Sequence, residues 1–241
     1  MPNSFFRFKQ FTIHQVQCSM KVCTDACVFG AHVAAHIKNE SLPVNHTLDI
    51  GAGTGLLSLM LAQKSNTIVD AIEIDNAAAN QAAANFKSSP WSERLQVFNT
   101  DAQQLQPNKK YDCIISNPPF FEDDLHSPNP GKNKAKHGLT LNFNQLLKVI
   151  EEHLSAEGFF AVLLPYHRED AFIAPADQQH FYCNKKVLLQ HTTAHPWFRA
   201  ILYFTRKKTN DIVQEELAIK NNDGTYTDSF KEILKYYYLH L

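Results

Sequence analysis

The stretch of the chain that most constrains its fold is residues 48–63, LDIGAGTGLLSLMLAQ. A short apolar strand runs into three closely spaced glycines, and an apolar helix follows them. The chain has only eight glycines, so three in one turn mark a place where the backbone must bend tightly and approach a ligand closely. This context predicts the first unit of a parallel sheet that binds a ligand beyond its strand ends.

Strands and helices alternate from about residue 46 to residue 165, as hydrophobic periodicity predicts. The alternation predicts an α/β fold with a mostly parallel sheet covered on both faces. Two further strands follow with no long helix between them, and we expect an antiparallel C-terminal pair that completes a seven-stranded sheet. The seven predicted strands are HTLDI, TIVDAIEI, RLQVFN, YDCIIS, EGFFAVLLP, KKVLLQH and RAILYFTRKK.

A final helix is predicted in TDSFKEILKYYYLHL, with Thr227 or Asp228 as its cap. Its apolar residues repeat at helical spacing from Phe230 to Leu241, which is typical of a helix packed on a core. We expect a single domain. Residues 1–40 are expected to form an N-terminal segment laid against the domain, and residues 41–241 the domain itself.

The composition bounds the class of protein. Hydrophobic residues make up 44% and charged residues 20% of the chain, which is typical of a soluble globular protein. An odd number of cysteines and no export signal predict reduced thiols in a cytoplasmic protein. The net charge of −1 argues against indiscriminate coating of nucleic acid. We expect no membrane contact and a monomer.

A metal site is not expected from the twelve histidines. The pair His32/His36 lies in HVAAH, which lacks the glutamate of an HExxH zinc helix. The pair His191/His195 runs directly into Pro196. Both pairs are interpreted as surface or packing histidines.

Two ligands compete for the turn formed by Gly51, Gly53 and Gly55: a dinucleotide and S-adenosylmethionine. Glu73, with Asp75 beside it, ends the next strand about 20 residues on, where a carboxylate can accept both ribose hydroxyls. A dinucleotide motif needs a glycine at position 56, which is leucine here. Asp49, two residues before the first glycine, suits an ammonium and a sulfonium but opposes a pyrophosphate. S-adenosylmethionine is therefore favoured.

Asp101 follows the third strand, at the same edge of the sheet. Its carboxylate and the amide of Ala102 can pair with the adenine edge of the cofactor. Alternatively, Asp101 caps the next short helix. The sequence leaves both interpretations open.

The fourth strand ends in ISNPPFF, residues 115–121, beside the predicted ligand. Two prolines stop the strand, because each lacks a backbone donor. In this position the side-chain oxygen of Asn117 and the carbonyl of Pro118 can accept both N–H groups of an exocyclic amine, and Phe120 can stack on its ring. Alone, the motif would equally describe a proline-stiffened strand exit. After this glycine turn it predicts an amino methyltransferase.

On these motifs the chain resembles the class I S-adenosylmethionine-dependent methyltransferases of the N-P-P-[FY] type, which have a Rossmann-like fold and modify amino groups. Within them it is most similar to bacterial enzymes that make N6-methyladenine beside the anticodon of a valine tRNA. The resemblance covers nearly the whole chain. Its segments are FKQF (8–11), MKVCTDACVFGA (20–31), LDIGAGTGLLSLMLAQ (48–63), SPWSERL (89–95), IISNPPFF (114–121) and YTDSFKEILKYYYLHL (226–241).

The resemblance implies that the segment before the first strand folds over the methionine end of the cofactor. It would bring Lys21, Thr24 and Asp25 to the site. The related enzymes usually carry MKVGTDG here, whereas this chain has Cys23 and Ala26 in place of the two glycines.

A polar loop, residues 122–138, follows the proline corner and carries Lys132, Lys134 and Lys136. These lysines are either solvated loop charges or contacts to phosphates of a tRNA substrate. Three rival functions remain open on the sequence alone. They are amino methylation of rRNA guanine, DNA adenine or a protein glutamine amide; a nicotinamide-dependent oxidoreductase; and a non-catalytic RNA-binding protein.

Overall fold

The computed structural model describes residues 3–106, 109–118 and 141–241. These residues form a two-stranded hairpin and an eight-stranded sheet. None of the helices in this part of the chain is both long enough and apolar enough to cross a membrane. The strands are β1 Phe5–Arg7, β2 Thr12–His14, β3 His46–Ile50, β4 Ile68–Glu73, β5 Leu95–Asn99, β6 Tyr111–Ser116, β7 Leu154–Pro165, β8 Tyr182–Thr192, β9 Trp197–Thr205 and β10 Val213–Lys220. The helices are α1 Thr24–Asn39, α2 Leu56–Lys64, α3 Asn76–Lys87, α4 Phe143–His153, α5 Glu169–Gln178 and α6 Asp228–Leu234.

The large sheet has the strand order β10-β8-β9-β7-β6-β3-β4-β5. β3 lies between β4 and β6 and runs parallel to both, so the chain reverses its direction of winding at β3. Among the described strands of this sheet, only β9 is antiparallel to its neighbours, β7 and β8. The predicted α/β fold with a C-terminal antiparallel pair is therefore confirmed.

The sheet contains one strand more than the seven predicted. β10 adds to the edge and runs parallel to β8. Its first half is exposed, whereas Leu217, Ala218 and Ile219 are buried. The burial of its second half against the domain is what fixes this strand at the edge.

Apolar side chains cover both faces of the sheet. On one face α1 and α2 pack closely. Gly30 of α1 permits this, because a Cβ atom there would lie only 2.8 Å from the sulfur of Met60 in α2. The other face is covered by α4 and α5, with Phe172 of α5 fully buried against Phe160 and Phe204.

The final helix is shorter than predicted. α6 starts after Thr227, whose hydroxyl accepts a hydrogen bond from the amide of Phe230 at 3.2 Å, and it ends at Leu234. Beyond that end Tyr237 stays buried and donates its hydroxyl to the carbonyl of Met60 at 3.0 Å. Leu241, which the periodicity placed in the apolar stripe, is exposed.

One buried side chain connects the N-terminal hairpin to the body of the protein. Asn85 of α3 accepts a hydrogen bond from the amide of His14 at 3.0 Å and donates to the carbonyls of His14 and Thr54, both at 2.9 Å. Thr54 belongs to the glycine turn. The hairpin and the turn are thus held by the same amide group.

We predict that Asn85→Ala lowers the free energy of unfolding by about 2–4 kcal/mol, because it leaves three backbone groups without partners in a buried place. Urea unfolding monitored by circular dichroism measures the change. The matched control is Asn80→Ala, an exposed position of the same helix, for which we expect a change within about 0.5 kcal/mol. Equal stabilities of the two variants would contradict the assignment.

Candidate active site

The predicted site residues lie where three parallel strands end. β3, β4 and β6 are neighbours and finish at Ile50, Glu73 and Ser116. The hydroxyl of Ser116 donates to the carbonyl of Ile50 at 2.9 Å, which ties two of these ends together. Ligands of open α/β sheets bind at such a place, outside the carboxyl ends of the strands where the winding reverses.

The three glycines of the turn serve two different purposes. All have φ in the left-handed region, at 76° for Gly51, 54° for Gly53 and 79° for Gly55, which a side chain would strain. A Cβ atom at Gly51 or Gly53 would meet no described atom within 4 Å, so these two leave the face of the turn open. A Cβ atom at Gly55 would lie 2.4 Å from the ring of Phe86. The third glycine therefore permits packing against α3.

Glu73 holds the glycine turn in place from the neighbouring strand. One carboxylate oxygen accepts from the amide of Gly53 at 2.8 Å, and the other from the amide of Asp75 at 2.9 Å. Each oxygen retains a second lone pair with which it can accept a ligand hydroxyl. Asp75 itself caps α3 by accepting from the amide of Ala78 at 2.8 Å.

Asp49 is a fully buried carboxyl group below the turn. One of its oxygens accepts from the hydroxyl of Ser58 at 2.7 Å, and the other has no partner among the described residues. Burial raises the pKa of Asp49 to about 7, although the bond from Ser58 opposes the shift. A buried carboxyl group with an unused oxygen favours a cationic partner. The residues at this edge thus fit a ligand that carries an ammonium group and ribose hydroxyls.

The segment before α1 lies close to the carboxylates of Glu73 and Asp75. Burial raises the pKa of the Cys18 thiol to about 11, and the charge of Glu73 adds to the shift while Lys21 opposes it. Lys21 donates its ammonium group to the carbonyl of Gln15. The charges of Glu73 and Lys21 therefore both affect the pKa of the Cys18 thiol, which places the two side chains near each other. A cofactor contact by Lys21 stays a prediction.

Thr24 is the first residue of α1, and a cofactor contact from it also stays a prediction. Asp25 next to it accepts a hydrogen bond from Nε of Arg199 at 2.9 Å. Arg199 lies near the start of β9, so this ion pair connects the start of α1 with the start of that strand. No local sequence pattern predicts that partner.

The capping interpretation of Asp101 is realised. Its carboxylate accepts from the amide of Gln103 at 2.9 Å and begins a single turn of 3₁₀ helix, Ala102–Gln104. Ala102 is buried. A contact of Asp101 and Ala102 with the adenine of a cofactor stays a prediction.

Asn117 and Pro118 directly follow β6. Asn117 is half-buried and Pro118 is buried. Ser116 pairs with Ile50, so the start of the proline corner lies level with the glycine turn. Phe120 and the three lysines of the polar loop, Lys132, Lys134 and Lys136, lie outside the described residues.

Three polar residues that support the site escaped the sequence analysis. Ser58 bonds to Asp49, and Asn85 bonds to the glycine turn. The side-chain amide of Asn99 donates to the carbonyl of Glu73 at 2.8 Å. Ser58 and Asn85 each interrupt a run of small or apolar residues in a helix that is otherwise packed, which is a signal that sequence reasoning can use.

Comparison with known proteins agrees with this geometry. Residues 19–162 match the family model described as the Methyltransferase small domain. A crystal structure of a predicted O-methyltransferase from Agrobacterium tumefaciens superposes with a TM-score of 0.67 at 15% identity, covering 88% of this chain and 95% of that one. The strand order, the glycine turn and these likenesses define a class I S-adenosylmethionine-dependent methyltransferase. The predicted cofactor, S-adenosylmethionine, is confirmed.

Curated relatives narrow the class further. A protein of Dyadobacter fermentans is 43% identical over 98% of both chains, and one of Bacteroides thetaiotaomicron is 36% identical over the full length of both. Each is named tRNA1(Val) (adenine(37)-N6)-methyltransferase. The chain belongs to this family.

We predict that the affinity for S-adenosylmethionine rises with pH through the titration of Asp49. With its pKa at about 7, the carboxyl group is mostly neutral at pH 6 and mostly ionised at pH 7.5, and only the ionised form attracts a cation. The dissociation constant should fall roughly eightfold over this range. The amino group of the ligand, with a pKa of about 7.7–8.0, stays largely protonated.

Isothermal titration calorimetry of Asp49→Asn tests this dependence. The variant should bind more weakly at pH 7.5 and should lose the slope between pH 6 and pH 7.5. Asp112→Asn is the control, since Asp112 lies near the start of β6 and bonds to the amides of Asn45 and His46. An unchanged slope in Asp49→Asn would exclude this carboxyl group as its source.

Proposed function

We propose that this protein transfers a methyl group from S-adenosylmethionine to the N6 amino group of an adenine in tRNA, at adenine 37 beside the anticodon of a valine tRNA. The observation that carries the proposal is the position of Asn117 and Pro118. They follow β6 and stand next to the glycine turn, in a chain whose curated relatives bear the name of this activity.

The chemistry of the target explains the need for such a corner. The lone pair of an exocyclic amine is delocalised into the purine ring, so the nitrogen is a weak nucleophile. The side-chain oxygen of Asn117 accepts one N–H of the amine, and the carbonyl of Pro118 accepts the other. Together they draw the nitrogen toward tetrahedral geometry and orient its lone pair. The proline ring keeps φ fixed and so keeps its own carbonyl in place.

The cofactor, when bound, supplies an electrophilic methyl group on a sulfonium. Asp49 would attract its ammonium group, and Glu73 would accept hydrogen bonds from its ribose hydroxyls. Gly51 and Gly53 let the backbone approach it closely. No strong base is required, because the methylated ammonium is acidic enough to lose its proton to water. Most of the rate enhancement then comes from orientation of the reacting groups.

The substrate is a single-stranded base in an RNA loop. Such a base turns out of its stack at low cost when the loop is already irregular. Phe120 would stack on the base, and Lys132, Lys134 and Lys136 would contact phosphates.

We further propose that the protein acts in the cytoplasm and that it is a monomer. Size-exclusion chromatography with light scattering tests the oligomeric state.

Asn117→Ala should lower kcat by about 10²–10³, as is usual when one preorganised hydrogen-bonding partner of the reacting group is removed. The affinity for S-adenosylmethionine should change little. Radiolabelled methyl transfer to valine tRNA, with mass spectrometry of the nucleosides, measures the loss. Asn184→Ala is the control, because Asn184 lies near the start of β8 and bonds to Thr205. Near-normal turnover of Asn117→Ala would refute the assigned role.

Replacing Lys132, Lys134 and Lys136 together by alanine should weaken tRNA binding and flatten its dependence on salt by up to about 2 units of slope in log K against log [salt]. Filter binding of tRNA at salt concentrations between about 50 and 200 mM provides the test, because such slopes are measured over this range. Lys87, Lys148 and Lys220 replaced together serve as the charge-matched control. Superimposable salt titrations of the two triple variants would argue against phosphate contacts from the loop.

A further inference from the structure

Two aromatic ring pairs lie at the edge of the sheet where the active site is, and the proposed chemistry does not use them. Tyr166 follows β7 and meets Trp197 of β9 edge to face, with ring centroids 5.3 Å apart. His191 of β8 stacks on Phe198, with centroids 4.0 Å apart and planes inclined by 11°. The tyrosine, tryptophan and phenylalanine are half-buried, and His191 is exposed.

The pairing of the strands places both ring pairs near the proline corner. Ser116 of β6 is level with Val162 of β7, and Val162 is level with Leu202 of β9. Trp197 therefore lies two strand spacings to the side of Asn117 and four residues farther out. At about 4.8 Å per spacing and 3.3 Å per residue the separation is about 16 Å. Neighbouring nucleotides of one loop can span it.

An irregularity in the sheet directs Trp197 and Phe198 to opposite sides. Leu189 pairs with Arg199 and Gln190 with Trp197, so Phe198 is the extra residue of a β-bulge. Bulges redirect side chains and are frequent beside active sites. Trp197 accordingly packs toward α4 and α5, and Phe198 toward α1 and α2.

The turn between β8 and β9 is also fixed. The amide of His195 donates to the carbonyl of Thr192 at 3.0 Å, and the Thr192 hydroxyl lies 2.7 Å from Nδ1 of His195. His191 stands at the start of this turn. The exposed ring of His191 therefore lies next to a hydrogen-bonded turn.

Ion pairs neutralise two carboxylates near the rings, so that these carboxylates do not repel a polyanion. Two nearby carboxylates are each paired with a cation: Asp25 with Arg199 at 2.9 Å, and Glu169 with Lys186 at 3.4 Å. The guanidinium of Arg199 also lies 5.5 Å from the Phe198 ring centroid. Stacking rings with cations at their rim are the usual means of holding unpaired bases.

We propose that the ring pairs Tyr166–Trp197 and His191–Phe198 form a stacking surface with one pair on each side of the sheet edge, and that it binds unpaired nucleotides that flank the methylated base. The proposal rests on the proposed function, because it takes the substrate to be an RNA loop. It assigns recognition of the loop to β7, β8 and β9, and methyl transfer to β3, β4 and β6. These rings are positioning residues for the RNA.

A fluorescence titration tests contact without depending on methyl transfer. The chain has two tryptophans, so Trp91→Phe leaves Trp197 as the only one. We expect saturable quenching of Trp197 by valine tRNA and by its isolated anticodon stem-loop, without any methyl donor. The control is Trp197→Phe, which retains Trp91 beside Phe11 and should show no such quenching.

Steady-state kinetics provide the second test. His191→Ala and Trp197→Ala should each raise KM for both RNAs about tenfold, as expected for the loss of one base–aromatic contact, while kcat stays within about twofold. His191 is exposed, so its variant folds even if the tryptophan variant does not. Tyr236→Ala is the control, because this exposed tyrosine lies under Lys64 at the end of α2 remote from the glycine turn.

The outcomes separate this proposal from the proposed function. If the wild type methylates tRNA but the two ring variants behave like Tyr236→Ala and Trp197 is not quenched, the stacking surface is refuted and the function stands. If the wild type methylates no RNA and Trp197 is not quenched, both fail. If the wild type methylates protein instead, and the ring variants raise KM for that protein, the surface binds protein and the RNA proposal is overturned.

Discussion

The hydrogen bond from the amide of Gly53 to the carboxylate of Glu73, 2.8 Å long, is the interaction on which the rest of the site depends. It attaches the glycine turn, whose glycines have left-handed φ values, to the end of the neighbouring strand β4. The same carboxylate holds the start of α3 through the amide of Asp75. The turn can therefore stay open toward a ligand without collapsing onto the sheet.

Several distant segments converge on that turn. Asn85 attaches the N-terminal hairpin to it, Phe86 packs against Gly55, and Ser58 engages the carboxyl group of Asp49. The hairpin and the glycine turn therefore share one buried amide group. The packing of residues 1–40 on a bound cofactor stays a prediction.

Much of the fold follows from local patterns in the sequence. The strands β3 and β6 have the bounds predicted by HTLDI and YDCIIS, because each ends at residues with strong conformational preferences, the glycines after β3 and the prolines after β6. The eighth strand was not counted among the strands of the sheet, since five of its eight residues are exposed and only Leu217, Ala218 and Ile219 are buried. The end of α6 was misplaced for a similar reason: helical spacing continues past the point where the backbone turns.

By itself the sequence determined the alternation of elements, the ligand turn with its two carboxylates, and the proline corner, because each is a short motif whose chemistry is complete within a few residues. Only the tertiary structure decided which groups meet. The bonds of Asn85, the pairing of Asp25 with Arg199, the cap formed by Asp101 and the ring pairs beside the site depend on sheet order and register. These contacts join residues that are far apart in the chain or admit more than one local partner, and no local pattern specifies them.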